Sequence, residues 1–187
     1  DVVIYAGSLV NKAIIDCRKE SSELYNSAHM NLEEVMEITI KALKENKLVA
    51  RVHTGDPSIF GAIREQMDIL DREGVEYEVI PGVSSFVAAA ASLKKELTLP
   101  DVSQTIICTR IEGRTPVPQE ESLASLASHK ATMAIFLSVH KIGEVVEELT
   151  KHYDKTTPVA VVQKATWEDE KIVIGTLENI ENLVKEA

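Results

Sequence analysis

Two short turns in the first half of the chain carry residues suited to gripping a small polar ligand. Thr54-Gly55-Asp56-Pro57 follows the β-rich run Leu48 to His53, and Pro81-Gly82-Val83-Ser84-Ser85 follows the run Tyr77 to Ile80. Glycine permits positive φ and lets a ligand approach the main chain. Asp56 can accept from a ligand hydroxyl or ammonium group. It can equally cap the helix that follows, with Pro57 at its first position. Ser84 and the free N–H groups of a helix start can hold a carboxylate or ribose, or serve as a plain cap. The chain has neither a GxxxxGK[ST] phosphate loop nor a GxGxxG fingerprint. A small ligand with a carboxylate, an amine and a ribose therefore suits these turns better than a nucleoside triphosphate.

The second half supplies cations. TRIEGRTPVP, residues 109–118, holds Arg110 and Arg114 with Glu112 between them. Guanidinium groups pair bidentately with carboxylates, so the loop is either an anion anchor or a solvated loop with an internal ion pair. Lys164, Thr166 and Trp167 sit at a strand end beside an acidic turn. The single tryptophan can stack on a flat ligand or fill a core edge. Of the five histidines, His53 alone adjoins one of the turns, and none forms HxxxH or HExxH. No protein-bound metal and no nucleophile elbow is expected.

The 187 residues carry 20 basic and 30 acidic side chains, a net charge of −10. That field repels nucleic acid, so an anionic ligand needs a locally basic site. The mostly apolar stretch 86–93 is far short of the ~20 residues that a membrane span needs. Cys17 and Cys108 are far apart and suggest neither a disulfide framework nor a zinc ribbon. The cytoplasm is the expected compartment, with no membrane or nucleic-acid partner. The chain opens on Asp1 and runs straight into apolar residues, as though a strand or turn preceded it.

These residues must be placed by an alternation of strand and helix. Val2–Tyr5 reads as a buried strand, 9–17 as weakly helical and 21–30 as irregular. Asn31 with Glu34 makes a capping box for a helix to about Glu45. Strand 48–53, a helix from Ile63 to about Gly74, strand 77–80 and an Ala-rich helix 86–94 follow. This is the pattern of a parallel sheet, where ligands sit beyond the carboxyl ends of the strands. A boundary falls in 96–104. The second half restarts with strand 105–111, helix 119–128, strand 133–137, an amphipathic helix from Ile142, strand 159–162, a hairpin partner at 171–174 and a last helix 177–185. The fold class is thus α/β in two domains, 1–98 with a mainly parallel sheet and 103–187 with a mixed one.

VARVHTGDPSIFGA, EVIPGVSS, TRIEGRTPVP and KATWEDEKIV, in this order and spacing, resemble the tetrapyrrole (corrin/porphyrin) methyltransferases over essentially the whole chain. GDPxx[FY]G and PGVSS are shared across that superfamily. EGRTPVP is more specific and looks like the branch that methylates precorrin-4, with or without cobalt, at C-11 in cobalamin biosynthesis. The resemblance implies an active site in a trough between the domains, S-adenosyl-L-methionine as donor, a tetrapyrrole substrate and a homodimer. It implies donor contacts at Thr54, Gly55, Asp56, Ile59, Ser84, Ser85, Leu137 and Ala165. Substrate contacts are expected at Arg110, Arg114, Lys164 and His53, with no catalytic side chain. The family's usual N-terminal Gly-Pro-Gly-Asp-Pro loop and final strands do not occur here. Methylation of another tetrapyrrole such as uroporphyrinogen III, or a non-catalytic S-adenosyl-binding module, are the alternatives.

Overall fold

A computed structural model of the chain describes residues 1–113 and 116–187. It divides into two compact units, Asp1–Ser85 and Phe86–Ala187.

In the first unit, β1 (Val2–Tyr5) lies between β2 (Glu23–Asn26) and β3 (Val49–Val52), parallel to both. The alternation of β1 turns Val2 and Ile4 inward, where both are fully buried. Each contributes roughly 1.5–3 kcal/mol by leaving water. They meet Val35 and Ala42 of α2 (Leu32–Lys44) in the core of this unit. The capping box is formed as its sequence predicts: the Glu34 amide donates to Asn31 Oδ1 at 2.9 Å, and the Asn31 amide donates to Glu34 Oε2 at 2.8 Å. Glu33 and Glu34 in the first turn and Lys41 and Lys44 in the last complement the helix dipole. The short α1 (Lys12–Asp16) is capped by Asn11, and α3 (Arg64–Glu73) ends at Gly74 in the left-handed region, φ 66°.

Two expectations are corrected in this unit. The stretch 21–30 contains β2. Its residues Glu23, Leu24, Tyr25 and Asn26 are largely exposed and carry no apolar alternation, so only the backbone pairing reveals them. Conversely, 77–80 joins no ladder among the described residues, although Tyr77 and Val79 alternate as in a strand. Tyr77, Val79 and Ile80 are exposed instead.

The second unit begins within α4 (Ser85–Leu93). The sequence grouped this helix with the first half, but Phe86 packs edge-on against Phe136 and Ser92 bonds Glu170. Then come β4 (Ile106–Arg110), α5 (Leu123–Ala127), β5 (Thr132–Phe136), α6 (Ile142–Leu149), β6 (Pro158–Gln163), β7 (Lys171–Thr176) and α7 (Ile180–Glu186). Parallel pairing joins β4 to β5, and antiparallel pairing joins β6 to β7. Leu123, Ala127, Val145, Leu149 and Leu177 form the core, with Met133, Ile135 and Val159 packed against it. The helix expected over 119–128 is broken at Ser122, whose extended backbone (ψ 147°) and hydroxyl make it the cap of α5.

No helix among the described residues is long and apolar enough to cross a membrane. Nor do those residues include a group of three or more His, Cys, Asp or Glu placed to hold a metal ion.

Candidate functional site

In the first unit the two turns meet. Gly55, with φ 66°, lies against the main chain of the second turn. A Cβ on Gly55 would stand 3.4 Å from Ser84 Cα and from the Ser85 amide nitrogen. A Cβ on Gly82 would stand only 2.2 Å from the Gly55 carbonyl oxygen. Backbone therefore meets backbone, with no side chain between. Asp56 fastens the contact: Oδ2 accepts from the Gly82 amide at 3.0 Å, while Oδ1 accepts from the Ser58 amide at 2.8 Å. These amides, Gly82 first, hold its carboxyl below the usual carboxylate range. Asp56 therefore caps no helix. The next helix, α3, starts only at Arg64, after two residues with positive φ, Phe60 and Ala62.

The other predicted residues of this unit surround that junction. The Thr54 hydroxyl donates to the Leu9 carbonyl at 2.7 Å, which ties the first turn to the segment after β1. Ile59 donates its amide to the Asp56 carbonyl at 3.2 Å and is partly exposed. Ser84 is buried, and the next residue, Ser85, opens α4. His53, at the end of β3, is half-buried. Burial, then the nearby Arg51 guanidinium, pushes its imidazole pKa down, so it is neutral at pH 7. The structure thus brings Thr54, Gly55, Asp56, Ile59, Ser84 and Ser85 onto adjoining loops.

In the second unit, Arg110 is the last residue of β4 and is in register with Phe136, the last of β5. Leu137 follows at once, exposed and with φ 54°. Arg110 and Leu137 therefore share the carboxyl end of one parallel pair. Ser138, which the sequence did not single out, locks that end. Its buried hydroxyl accepts from the Ile111 amide at 3.0 Å and donates to the Phe136 carbonyl at 2.5 Å. Its only signal in the sequence was a serine just past a strand.

Ala165 lies at the carboxyl end of β6 between two residues with positive φ, Lys164 (53°) and Thr166 (70°). The Lys164 ammonium pairs with Asp169 and stands 5.3 Å from the centroid of the half-buried Trp167 ring. Lys164 therefore has partners inside its own loop. Arg114 lies outside the described residues.

Hollows of about 430 and 500 Å³ open elsewhere in the first unit and contain none of these residues. The larger is lined by Tyr5, Lys12 and Arg18 among others. The smaller holds Lys47, which is paired with Glu23 at 2.5 Å and Glu45 at 2.6 Å. Its ion pairs are satisfied internally, so the strand-end loops remain the candidate site.

The model of one family, the tetrapyrrole (corrin/porphyrin) methylases, matches residues 1–181. This chain belongs to that family. A cobalt-precorrin-4 C(11)-methyltransferase of Methanocaldococcus jannaschii is 59% identical over 186 residues, 99% of this chain and 72% of that protein. A precorrin-4 C(11)-methyltransferase of Pseudomonas aeruginosa is 47% identical over 179 residues, 96% of this chain and 71% of that protein. The crystal structure of a cobalt precorrin-4 methyltransferase of cobalamin biosynthesis superposes with a TM-score of 0.95 at 48% identity, covering 99% of this chain and 78% of that one. The α/β architecture of this tetrapyrrole methylase is therefore the family's own. Gly55 and Gly82 let the main chains of the two turns pack directly against each other.

Proposed function

We propose that this protein is an S-adenosylmethionine-dependent methyltransferase that methylates C-11 of precorrin-4, or of its cobalt complex, in cobalamin biosynthesis. The observation that carries this reading is 59% identity, over nearly the whole chain, to a cobalt-precorrin-4 C(11)-methyltransferase. A TM-score of 0.95 against a cobalt precorrin-4 methyltransferase supports it.

In this reading the donor contacts are Thr54, Gly55, Asp56, Ile59, Ser84 and Ser85 of the first unit's turns, with Leu137 and Ala165. The sulfonium–methyl bond breaks as the new carbon–carbon bond forms at a nucleophilic ring carbon. The donor carries the driving force. The protein's part is to align sulfur, methyl and carbon and to keep water out. That task needs fixed loops rather than a nucleophile, in keeping with the Asp56, Ser138 and Gly82 contacts. Arg110, Arg114, Lys164 and His53 face the tetrapyrrole. Arg110 and Arg114 anchor its carboxylates, while His53 stays uncharged. Any cobalt belongs to the substrate. The protein works as a homodimer in the cytoplasm, without nucleic-acid or membrane partners. Net charge disfavours nucleic acid, and exposed apolar side chains such as Leu48 and Ile80 leave surface for a second copy.

The test is to supply methyl-labelled donor with precorrin-4, cobalt-precorrin-4 and uroporphyrinogen III in parallel. Label on either precorrin-4 form, mapped to C-11, is the expected result. Label on uroporphyrinogen III alone assigns a different ring carbon. Donor binding with no transfer to any of the three makes the chain a non-catalytic binding module.

A further inference from the structure

The connection between β6 and β7 twice enters the left-handed region within three residues, at Lys164 and Thr166, and neither is glycine. A branched Cβ makes that region a true outlier for Thr166. Such a turn persists only where its surroundings over-determine it. Glu170 supplies that constraint. Its Oε2 accepts from the Thr166 amide at 2.6 Å and from the Ser92 hydroxyl at 2.6 Å. Ser92 lies on α4, 78 residues earlier in the chain. Lys164 does not compete for this oxygen, because its ammonium is taken by Asp169 and the Trp167 ring. Asp56 plays the same part in the first unit, where one carboxylate joins two segments distant in sequence through main-chain amides.

We propose that Glu170 is a positioning residue for the methyl donor: it straps the 164–166 turn to α4 and so presents the main chain of Ala165 to the donor. Glu170 itself touches neither donor nor tetrapyrrole. The inference rests on the reading that places the donor at Ala165. The Ser92 hydroxyl and then the Thr166 amide hold the Glu170 carboxyl below its ordinary range, so it is ionised at neutral pH. It is then purely an acceptor, which is what two converging donors require.

The test compares Glu170→Ala, Glu170→Gln, Ser92→Ala and Asp56→Ala in the full chain. S-adenosylhomocysteine affinity is read by calorimetry, and KM and kcat are read with tetrapyrrole. Glu170→Ala is expected to raise the dissociation constant for S-adenosylhomocysteine about tenfold, on the scale of a lost charge-assisted hydrogen bond. The tetrapyrrole KM should change less than the donor affinity, because among the substrate residues only Lys164 lies in this turn and its ammonium is held separately by Asp169 and the Trp167 ring. Glu170→Gln keeps a carbonyl acceptor and should restore most of the affinity. Ser92→Ala removes one donor from a side chain that still packs, and should give an intermediate loss even if Glu170→Ala folds poorly. Wild-type affinity in Glu170→Ala and Ser92→Ala, beside weakened binding in Asp56→Ala, overturns the strap and leaves the donor site standing. Wild-type affinity in all four overturns both. A raised tetrapyrrole KM with unchanged donor affinity also overturns it.

Discussion

Replacing Gly82 with alanine tests the contact on which the candidate donor site is built. The new methyl carbon would stand 2.2 Å from the Gly55 carbonyl oxygen, where ordinary contact begins near 3.4 Å. The neighbour is backbone, so no side chain can swing aside. One turn must retreat from the other by more than about 1 Å, beyond what a well-packed contact absorbs. The Gly82 amide then leaves hydrogen-bond range of Asp56 Oδ2, now 3.0 Å away. Overpacking of this kind costs about 1–3 kcal/mol. At about 2 kcal/mol, the unfolding midpoint of a chain this long falls by roughly 4–8 °C. S-adenosylhomocysteine affinity should fall in the same variant, since the junction of the two turns opens. Gly74→Ala is the control. It forces alanine into φ 66° in open space at the end of α3, with nothing within 4 Å. It should lose stability while keeping donor affinity. Thermal unfolding and titration calorimetry read both quantities. A Gly82→Ala protein with wild-type midpoint and wild-type affinity refutes the reasoning. A lowered midpoint with unchanged affinity places the donor elsewhere.

Three further outcomes are expected. His53 has a folded-state pKa below its ordinary value of 6.5, so its contribution to stability is present above that value and is lost as pH falls through the depressed one. The unfolding midpoint should drop as pH falls below about 6.5, and His53→Gln should flatten that drop; an unchanged slope counts against it. Arg114→Ala should raise the tetrapyrrole KM, more at low salt where repulsion from the acidic surface is unscreened, and leave S-adenosylmethionine affinity within about twofold; loss of donor binding instead would reassign the loop. Light scattering at micromolar concentration should give twice the chain mass, and a monomeric mass would remove the homodimer.

What the sequence conveyed depended on whether side chains alone carried the signal. The capping box at Asn31 and Glu34 is local and was legible to the residue. So was the hairpin of β6 and β7, because Val159–Val162 and Lys171–Ile174 declare themselves by β-branched content. β2 was missed because Glu23–Asn26 is paired by its backbone and buries little. Residues 77–80 have strand-like side chains, yet a ladder needs a neighbour, and that is a property of the fold rather than of the segment. The candidate site follows the same division. Gly55, Asp56 and Ser84 were legible as ligand-type residues in turns. That Asp56 reaches 26 residues forward to Gly82 could not be seen, since a capping aspartate and a loop-joining one have the same local sequence. Ser138 and Glu170 were passed over for the same reason: each has a partner far away in the chain, the Ile111 amide for Ser138 and the Ser92 hydroxyl for Glu170.

The order β2–β1–β3 also sets a timetable for folding. Val2 faces Glu23, 21 residues on, and Val49, 47 residues on. Closing the second, longer span costs about 0.6 kcal/mol more chain entropy. The innermost strand therefore acquires one neighbour early and keeps its other side open until α2 has formed and the chain has come back. Until then the buried pair Val2 and Ile4 is half covered, and a foreign strand can occupy the edge reserved for β3. Pulse-labelled refolding should show the amides of β3 gaining protection last, and during that interval the chain is most open to aggregation.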